Sequence, residues 1–173
     1  MRAKKVIFAT GYETHEHLRR YLGKLTSTYV IVSEPIPDFD GWHERSLIWE
    51  TSRPYSYLRT VEDRAMIGGQ DIDFVDQERR DAAIGDKSRR LCEIFRSLFP
   101  EIDFQISAAW AGTFGETADG LPHIGETDGL PSTYFALGYG ANGITASAVA
   151  AEIIRDAYLG RKNPAARLFR PDR

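Results

Sequence analysis

Residues 133–160 of this 173-residue chain constrain its fold more than any other stretch: Thr-Tyr-Phe-Ala-Leu-Gly-Tyr-Gly-Ala-Asn-Gly-Ile-Thr-Ala-Ser-Ala-Val-Ala-Ala-Glu-Ile-Ile-Arg-Asp-Ala-Tyr-Leu-Gly. Tyr134, Phe135, Ala136 and Leu137 form a short apolar run of strand type. A turn with Gly138, Gly140 and Gly143 follows. From Ile144 onward, apolar residues recur at helical spacing (Val149, Ile153, Ile154, Tyr158), and Gly160 is a stop signal. The stretch is therefore expected to form a strand, a glycine turn and a helix.

A helix leaves its first backbone N–H groups without internal partners, and its start carries partial positive charge. Glycines at that start let a ligand approach the backbone, which suits an anion or an electron-rich oxygen. Ala146, Ser147, Ala148, Ala150 and Ala151 would let a flat ring or another backbone pack closely. The same pattern also fits a plain strand-to-helix connection whose glycines serve only the turn, and spacing alone leaves both readings open.

Composition excludes several function classes. A net charge of −3 gives no general attraction to nucleic acid or to anionic membranes. No apolar run reaches the roughly 18 residues of a membrane helix, so no membrane span is expected. A single cysteine, Cys92, permits no internal disulfide and fits a reducing compartment. Residues 6–10 are too short for a signal-peptide core, so the chain is expected in the cytoplasm.

Along the chain, residues 5–9 (Lys-Val-Ile-Phe-Ala) resemble a strand buried on both faces, as in parallel sheets. Nothing precedes this strand to cover it, so the chain reads as starting in the middle of a domain. Thr14 as N-cap, with Leu18, Tyr21, Leu22 and Leu25, predicts a short helix ending near Gly23. His15 and His17 on it stand two apart, do not share a face, and make an unsuitable metal pair. Residues 28–33 predict a strand. Residues 47–51, 56–60 and 64–68 predict an antiparallel meander ended by Gly68-Gly69. Residues 76–99 predict a long helix, with a possible break at Gly85 and Cys92 on its buried stripe. Residues 102–114 and 121–125 predict further strands, with Asp119-Gly120 a turn pair. The polar segment 161–173 is expected to be a loosely held tail. The ends read as α/β and the middle as α+β, so the fold class is α+β with an α/β portion.

Val6-Ile-Phe-Ala-Thr-Gly11, Trp110-Ala-Gly112, Asp119-Gly-Leu-Pro-His-Ile-Gly125 and Tyr134-Phe-Ala-Leu-Gly-Tyr-Gly-Ala-Asn-Gly-Ile144 stand in the order seen in FAD-dependent oxidoreductases of the D-amino-acid-oxidase (DAO) superfamily. The chain resembles the C-terminal part of such an enzyme. That family includes glycine and sarcosine oxidases, and Tyr57-Leu-Arg59, Asp63-Arg64 and Gly68-Gly69 look nearest to its γ-glutamylputrescine oxidase branch. The family's main FAD grip is a GxGxxG after its first strand. The chain is read as holding no GxGxxG, so that N-terminal element is expected to be missing.

The resemblance implies that residues 1–25 and 132–160 are the remnant of a Rossmann-like FAD domain, and that 26–131 form a substrate-binding α+β domain. It places Thr10, Gly11, Gly138, Tyr139, Gly140, Ala141, Asn142, Gly143, Ile144 and Thr145 at the cofactor. It places Tyr57, Arg59, Trp110, Phe114 and His123 on the substrate side. In the amino-acid-oxidising branches an arginine holds the substrate carboxylate two residues after the Trp-x-Gly stretch. Phe114 at that position implies an amine substrate, with Arg59 or Arg53 left to hold a remote carboxylate. No catalytic acid or base is assigned, because the flavin does the oxidation chemistry. The expected function is a fragment that oxidises an amine or amino-acid C–N bond only within a whole enzyme. The competing expectation is a non-catalytic module that pairs with a partner chain or with itself through an exposed parallel edge.

Overall fold

The computed structural model describes residues 2–16, 23–74 and 76–173; of residues 14–16 only the backbone is described. The helix expected near residue 14 lies largely outside this description. A 3-10 turn spans Gly11–Glu16, and Leu25 belongs to the strand that follows. The chain divides into two units, one of Met1–Leu25 with Phe114–Arg173, the other of Thr26–Thr113.

The first unit is built on a three-stranded sheet in the order β1-β8-β7. Here β1 is Val6–Phe8, β7 is His123–Thr127 and β8 is Leu130–Leu137. The first strand pairs parallel to β8, Phe8 opposite Phe135, and β7 pairs antiparallel to β8, His123 opposite Leu137. Helix α3 (Gly143–Tyr158) buries Ala150, Ile153 and Ile154 against Ile124 and Tyr134. Lys5 donates from its Nζ to the Tyr134 hydroxyl at 2.6 Å, tying the start of the chain to β8.

The expectation that β1 is buried on both faces does not hold among the described residues. Val6 is 44% exposed and Ile7 56%. β1 is the outer strand of its sheet, and only Phe8 gains cover, by stacking on Phe135 at 5.6 Å.

The second unit is organised by a five-stranded sheet in the order β3-β4-β5-β2-β6. These strands are β2 (Lys24–Ser33), β3 (Ile48–Trp49), β4 (Ser56–Val61), β5 (Arg64–Asp73) and β6 (Ile106–Glu116). β2 and β6 also extend beyond this unit's boundaries. The expected meander is present, but β5 runs past Gly68-Gly69 to Asp73. Glycine in a strand marks close backbone approach as readily as an end.

Helices α1 (Gln77–Ala82) and α2 (Ile84–Leu98) follow, and the break falls at Ala83, not at Gly85. Asp76 caps α1 by accepting from the Arg79 N–H at 2.7 Å. The apolar stripe of α2 (Leu91, Cys92, Phe95) packs on Tyr29, Ile31, Leu58 and Ile67 of the sheet. Cys92 is buried in this core, as expected.

The segment after α3 is not loosely held. A 3-10 turn at Pro164–Arg167 brings Ala165, Ala166 and Phe169 onto the first unit's core. The Ile124 N–H donates to the Phe169 carbonyl at 2.7 Å, and Asp172 accepts from the Thr127 hydroxyl and the Asp128 N–H. Arg173 binds Asp119 through two N–H···O bonds of 2.7 Å each. The local pattern reads this segment as polar and proline-containing; its partners stand 45 and 54 residues away in sequence.

The Arg173 guanidinium, with the Leu121 N–H and the Thr117 hydroxyl, holds the Asp119 carboxyl well below the usual carboxylate range. A lowered carboxyl pKa stabilises the fold above the unfolded value, about 4, and this stabilisation is lost progressively as pH falls further. Asp119 is 48% exposed, so screening limits the loss in Asp119→Asn at neutral pH to about 1 kcal/mol. Denaturant melts of both proteins should show that gap narrowing as pH is lowered from 5 to 2.

Candidate functional site

In the first unit, parallel pairing of β1 with β8 sends both chains out at the same end of the sheet. Thr10 and Gly11 follow β1; Gly138, Tyr139, Gly140, Ala141 and Asn142 follow β8. Ligands in sheets with parallel strands bind beyond the carboxyl ends of those strands. Thus the cofactor-side residues expected from sequence converge at one sheet end, together with the start of α3. His123 opens β7 opposite Leu137, at that same end.

The turn is anchored rather than free. The Gly140 N–H donates to the Gly115 carbonyl at 3.0 Å, and Tyr139 bridges antiparallel to Glu116. The Gly23 N–H donates to the Glu116 carbonyl at 2.9 Å. Gly138 and Gly140 have φ of 73° and 53°, which side-chain-bearing residues adopt only with strain. Burial raises the pKa of the Tyr139 hydroxyl.

Asn142 makes no side-chain cap bond to α3, and the first bond into the helix runs from the Ala146 N–H to the Asn142 carbonyl at 3.0 Å. The N–H groups of Gly143, Ile144 and Thr145 therefore have no acceptor among the described residues. They are not covered by their own side chains: Ile144 is 90% exposed, and a Cβ placed on Gly143 would meet nothing within 4 Å.

Gly138-x-Gly140-x-x-Gly143 is itself GxGxxG spacing between a strand and a helix. The expectation that the chain holds no GxGxxG is thereby corrected. The physics here differs from a pyrophosphate loop, whose third glycine allows close helix-to-strand packing. Gly143 instead faces open space, and α3 is followed by a 3-10 turn rather than a parallel strand. Open amides and an absent Cβ fit the edge of a flat, electron-rich ring such as a flavin.

Beside the same strands lies a hollow of about 440 Å³, lined by Ile7, Ala9, Ala136, Ala150, Ile154 and Tyr158 among others.

In the second unit, Tyr57 and Arg59 stand on β4, with Tyr57 opposite Gly68 and its ring close above it. Burial, and next the charge of Asp71, raise the Tyr57 pKa. Trp49 pairs across the strands with Tyr57, and Tyr55 packs between them, with ring centroids at 6.0 and 6.4 Å. Arg53 lies 5.7 Å from the Tyr55 ring centroid. Sequence reading singled out Tyr57 alone of these rings; alternation along β3 and β4 could have shown Trp49 as its neighbour only once the register was known. Arg59 is exposed, and Trp110, on β6, is 43% exposed. Phe114 and His123 belong to the first unit.

A family model described as DAO, FAD dependent oxidoreductase, matches residues 1–157. The chain belongs to this family of FAD-dependent oxidoreductases, and the α+β expectation holds.

The probable oxidoreductase OrdL of Haemophilus influenzae is 29% identical over 105 residues, covering 60% of this chain and 22% of that protein. The glycine oxidase from Geobacillus kaustophilus superposes with a TM-score of 0.75 at 19% identity, over 95% of this chain and 44% of its own. The iminodiacetate oxidase from Chelativorans sp. BNC1 gives 0.74 at 15% identity, over 99% of this chain and 47% of its own. At such identities the likeness shows the fold. The chain spans less than half of either enzyme and about a fifth of the curated relative. No helix among the described residues is long and apolar enough to cross a membrane.

Proposed function

We propose that this chain is the C-terminal part of an FAD-dependent oxidoreductase that oxidises an amine or amino-acid C–N bond, and that it is inactive without a segment bearing the N-terminal GxGxxG. The observation that carries this reading is the open start of α3, with its amides at Gly143, Ile144 and Thr145 facing space at the carboxyl end of β1 and β8. When bound, FAD supplies the hydride acceptor. The amides of Gly143–Thr145 bind the ring's electron-rich edge and stabilise negative charge there. Gly140, fixed by its bond to Gly115, holds the turn in place.

On the substrate side, the reading keeps Tyr57, Arg59, Trp110, Phe114 and His123. An apolar Phe114 favours an amine over a plain amino acid, and Arg53 or Arg59 is left for a distant carboxylate. This preference supports the γ-glutamylputrescine-oxidase branch over the glycine-sarcosine branch.

The test is a titration of the chain with FAD, followed by amide NMR. Shifts concentrated at residues 138–145 are expected, and Gly143→Leu, which fills the open space, should weaken binding about tenfold, equivalent to about 1.4 kcal/mol. Shifts spread evenly over the chain, or a Gly143→Leu chain that responds as the native one does, would refute the reading.

The exposed edge of β1 and the neighbouring apolar hollow favour a second reading, a non-catalytic module that pairs with another chain or with itself. Sedimentation velocity separates the two: self-association abolished by Ile7→Asp supports self-pairing, and a monomer at all concentrations counts against it.

A further inference from the structure

We propose that Gly68 and Arg59 select the substrate at the second unit's sheet: an amine whose carboxylate lies several carbons from the reacting nitrogen. The carboxylate binds Arg59, and the hydrocarbon lies on the Tyr57 ring, which Gly68 allows to lie flat. This inference rests on the substrate-side reading above and deepens it.

Strand pairing brings these groups to one face. Trp49 stands opposite Tyr57, Tyr57 opposite Gly68, and Gly68 opposite Val30. Paired residues share a face of a sheet, and successive residues along a strand alternate between faces. The alternates of this row, Ile48, Leu58, Ile67 and Ile31, belong to or pack on the core that holds α2. Trp49, Tyr57 and Gly68 therefore lie on the face turned away from α2. Arg59, two residues beyond Tyr57 and opposite Met66, lies on it too.

The Tyr57 ring explains the glycine at position 68. Gly68 does not share the positive φ of Gly69, so its backbone conformation does not demand glycine. A Cβ placed on it, however, would stand 3.0 Å from Tyr57 Cε1 and closer still to Cζ and the hydroxyl oxygen. These are its three nearest atoms, so the phenol lies across β5 with its outer end above Gly68. Laid down in this way, the ring offers its flat side to a hydrocarbon.

Arg59 supplies the charge. It is exposed, and its guanidinium has no hydrogen bond or ion pair among the described residues. Its planar fork suits a carboxylate, which it can hold by two parallel bonds. Two residues along a strand span about 6.6 Å, so a short hydrocarbon attached to that carboxylate reaches back over Tyr57. Arg53 is placed differently: it precedes β4, and its guanidinium lies 5.7 Å from the Tyr55 ring centroid.

The test is an NMR titration of the full chain with pentanoate and with acetate, read at the Tyr57 ring and the Arg59 Nε–H. Pentanoate should bind about tenfold tighter than acetate, as for three methylenes each covered on one side. Arg59→Gln should weaken pentanoate about tenfold, and Arg53→Gln should leave it unchanged. Gly68→Ala should swing Tyr57 off the sheet. Its phenol midpoint, raised by burial and next by the charge of Asp71, should then fall toward the ordinary value, about 10, and the preference for pentanoate should vanish. Should Gly68→Ala not fold, Tyr57→Val alone should abolish the preference, and the double variant Tyr57→Val with Gly68→Ala should resist denaturant at least as well as Tyr57→Val. Equal affinity for the two acids in the native chain, equal weakening by the two arginine variants, an unmoved Tyr57 midpoint in Gly68→Ala, or a double variant weaker than Tyr57→Val would each overturn the proposal. The flavin reading is checked at residues 138–145, so the two fail separately.

Discussion

Phe95→Ala is expected to destabilise the second unit by about 3–5 kcal/mol, the largest effect of any single core truncation here. Phe95 is fully buried on α2 and lies within 4.5–5.9 Å, centroid to centroid, of Phe104, Phe99 and Trp42. These rings hold α2 to the connection between β2 and β3 and to the segment after α2, and Trp42 stacks in turn on Phe99 at 4.7 Å. Removing the central ring leaves a cavity that three other large rings cannot collapse to fill. Denaturant unfolding monitored by tryptophan fluorescence should show the loss. A change under 1 kcal/mol would mean that this aromatic cluster does not organise the unit.

The second large effect is expected at Gly69, where alanine should cost about 3 kcal/mol or more. Gly69 has φ of +127°, a conformation closed to residues with a side chain. An added Cβ would stand 3.0 Å from the Ser56 Cα and closer still to the Tyr55 carbonyl oxygen, and both are backbone atoms that cannot rotate away. β5 would have to part from β4 at the level of Ser56, between Tyr55 and Tyr57, so the aromatic run Trp49–Tyr55–Tyr57 should loosen with it. Loss of protection at the Gln70 N–H, which donates to the Tyr55 carbonyl at 3.3 Å, would localise the damage. A stable Gly69→Ala protein with an unaltered Gln70 amide would refute the account.

Much of the candidate site was legible in the sequence because it is local. Residues 134–143 are contiguous, and their change from a strand run to glycines to helical spacing needs no partner to be read. Their convergence with Thr10 and Gly11 was not legible, because it depends on β1 lying parallel to β8 across more than 120 residues. Gly68-Gly69 was misread as a strand end because the sequence shows missing side chains, but not the Tyr55 backbone that requires them to be missing. The C-terminal segment was misread for a similar reason. Its polarity is local, whereas the Asp119, Thr127 and Asp128 groups that hold it are distant in the chain.

By itself, then, the sequence determined the strand, glycine turn and helix of residues 134–158, where apolar periodicity and glycine placement are set residue by residue, and its motifs carried the family resemblance. The tertiary structure decided which glycines serve close approach, which strand edge is left open, and where the arginine at position 173 finds its carboxylate. Those outcomes depend on pairings between distant segments, whose energies no local pattern contains.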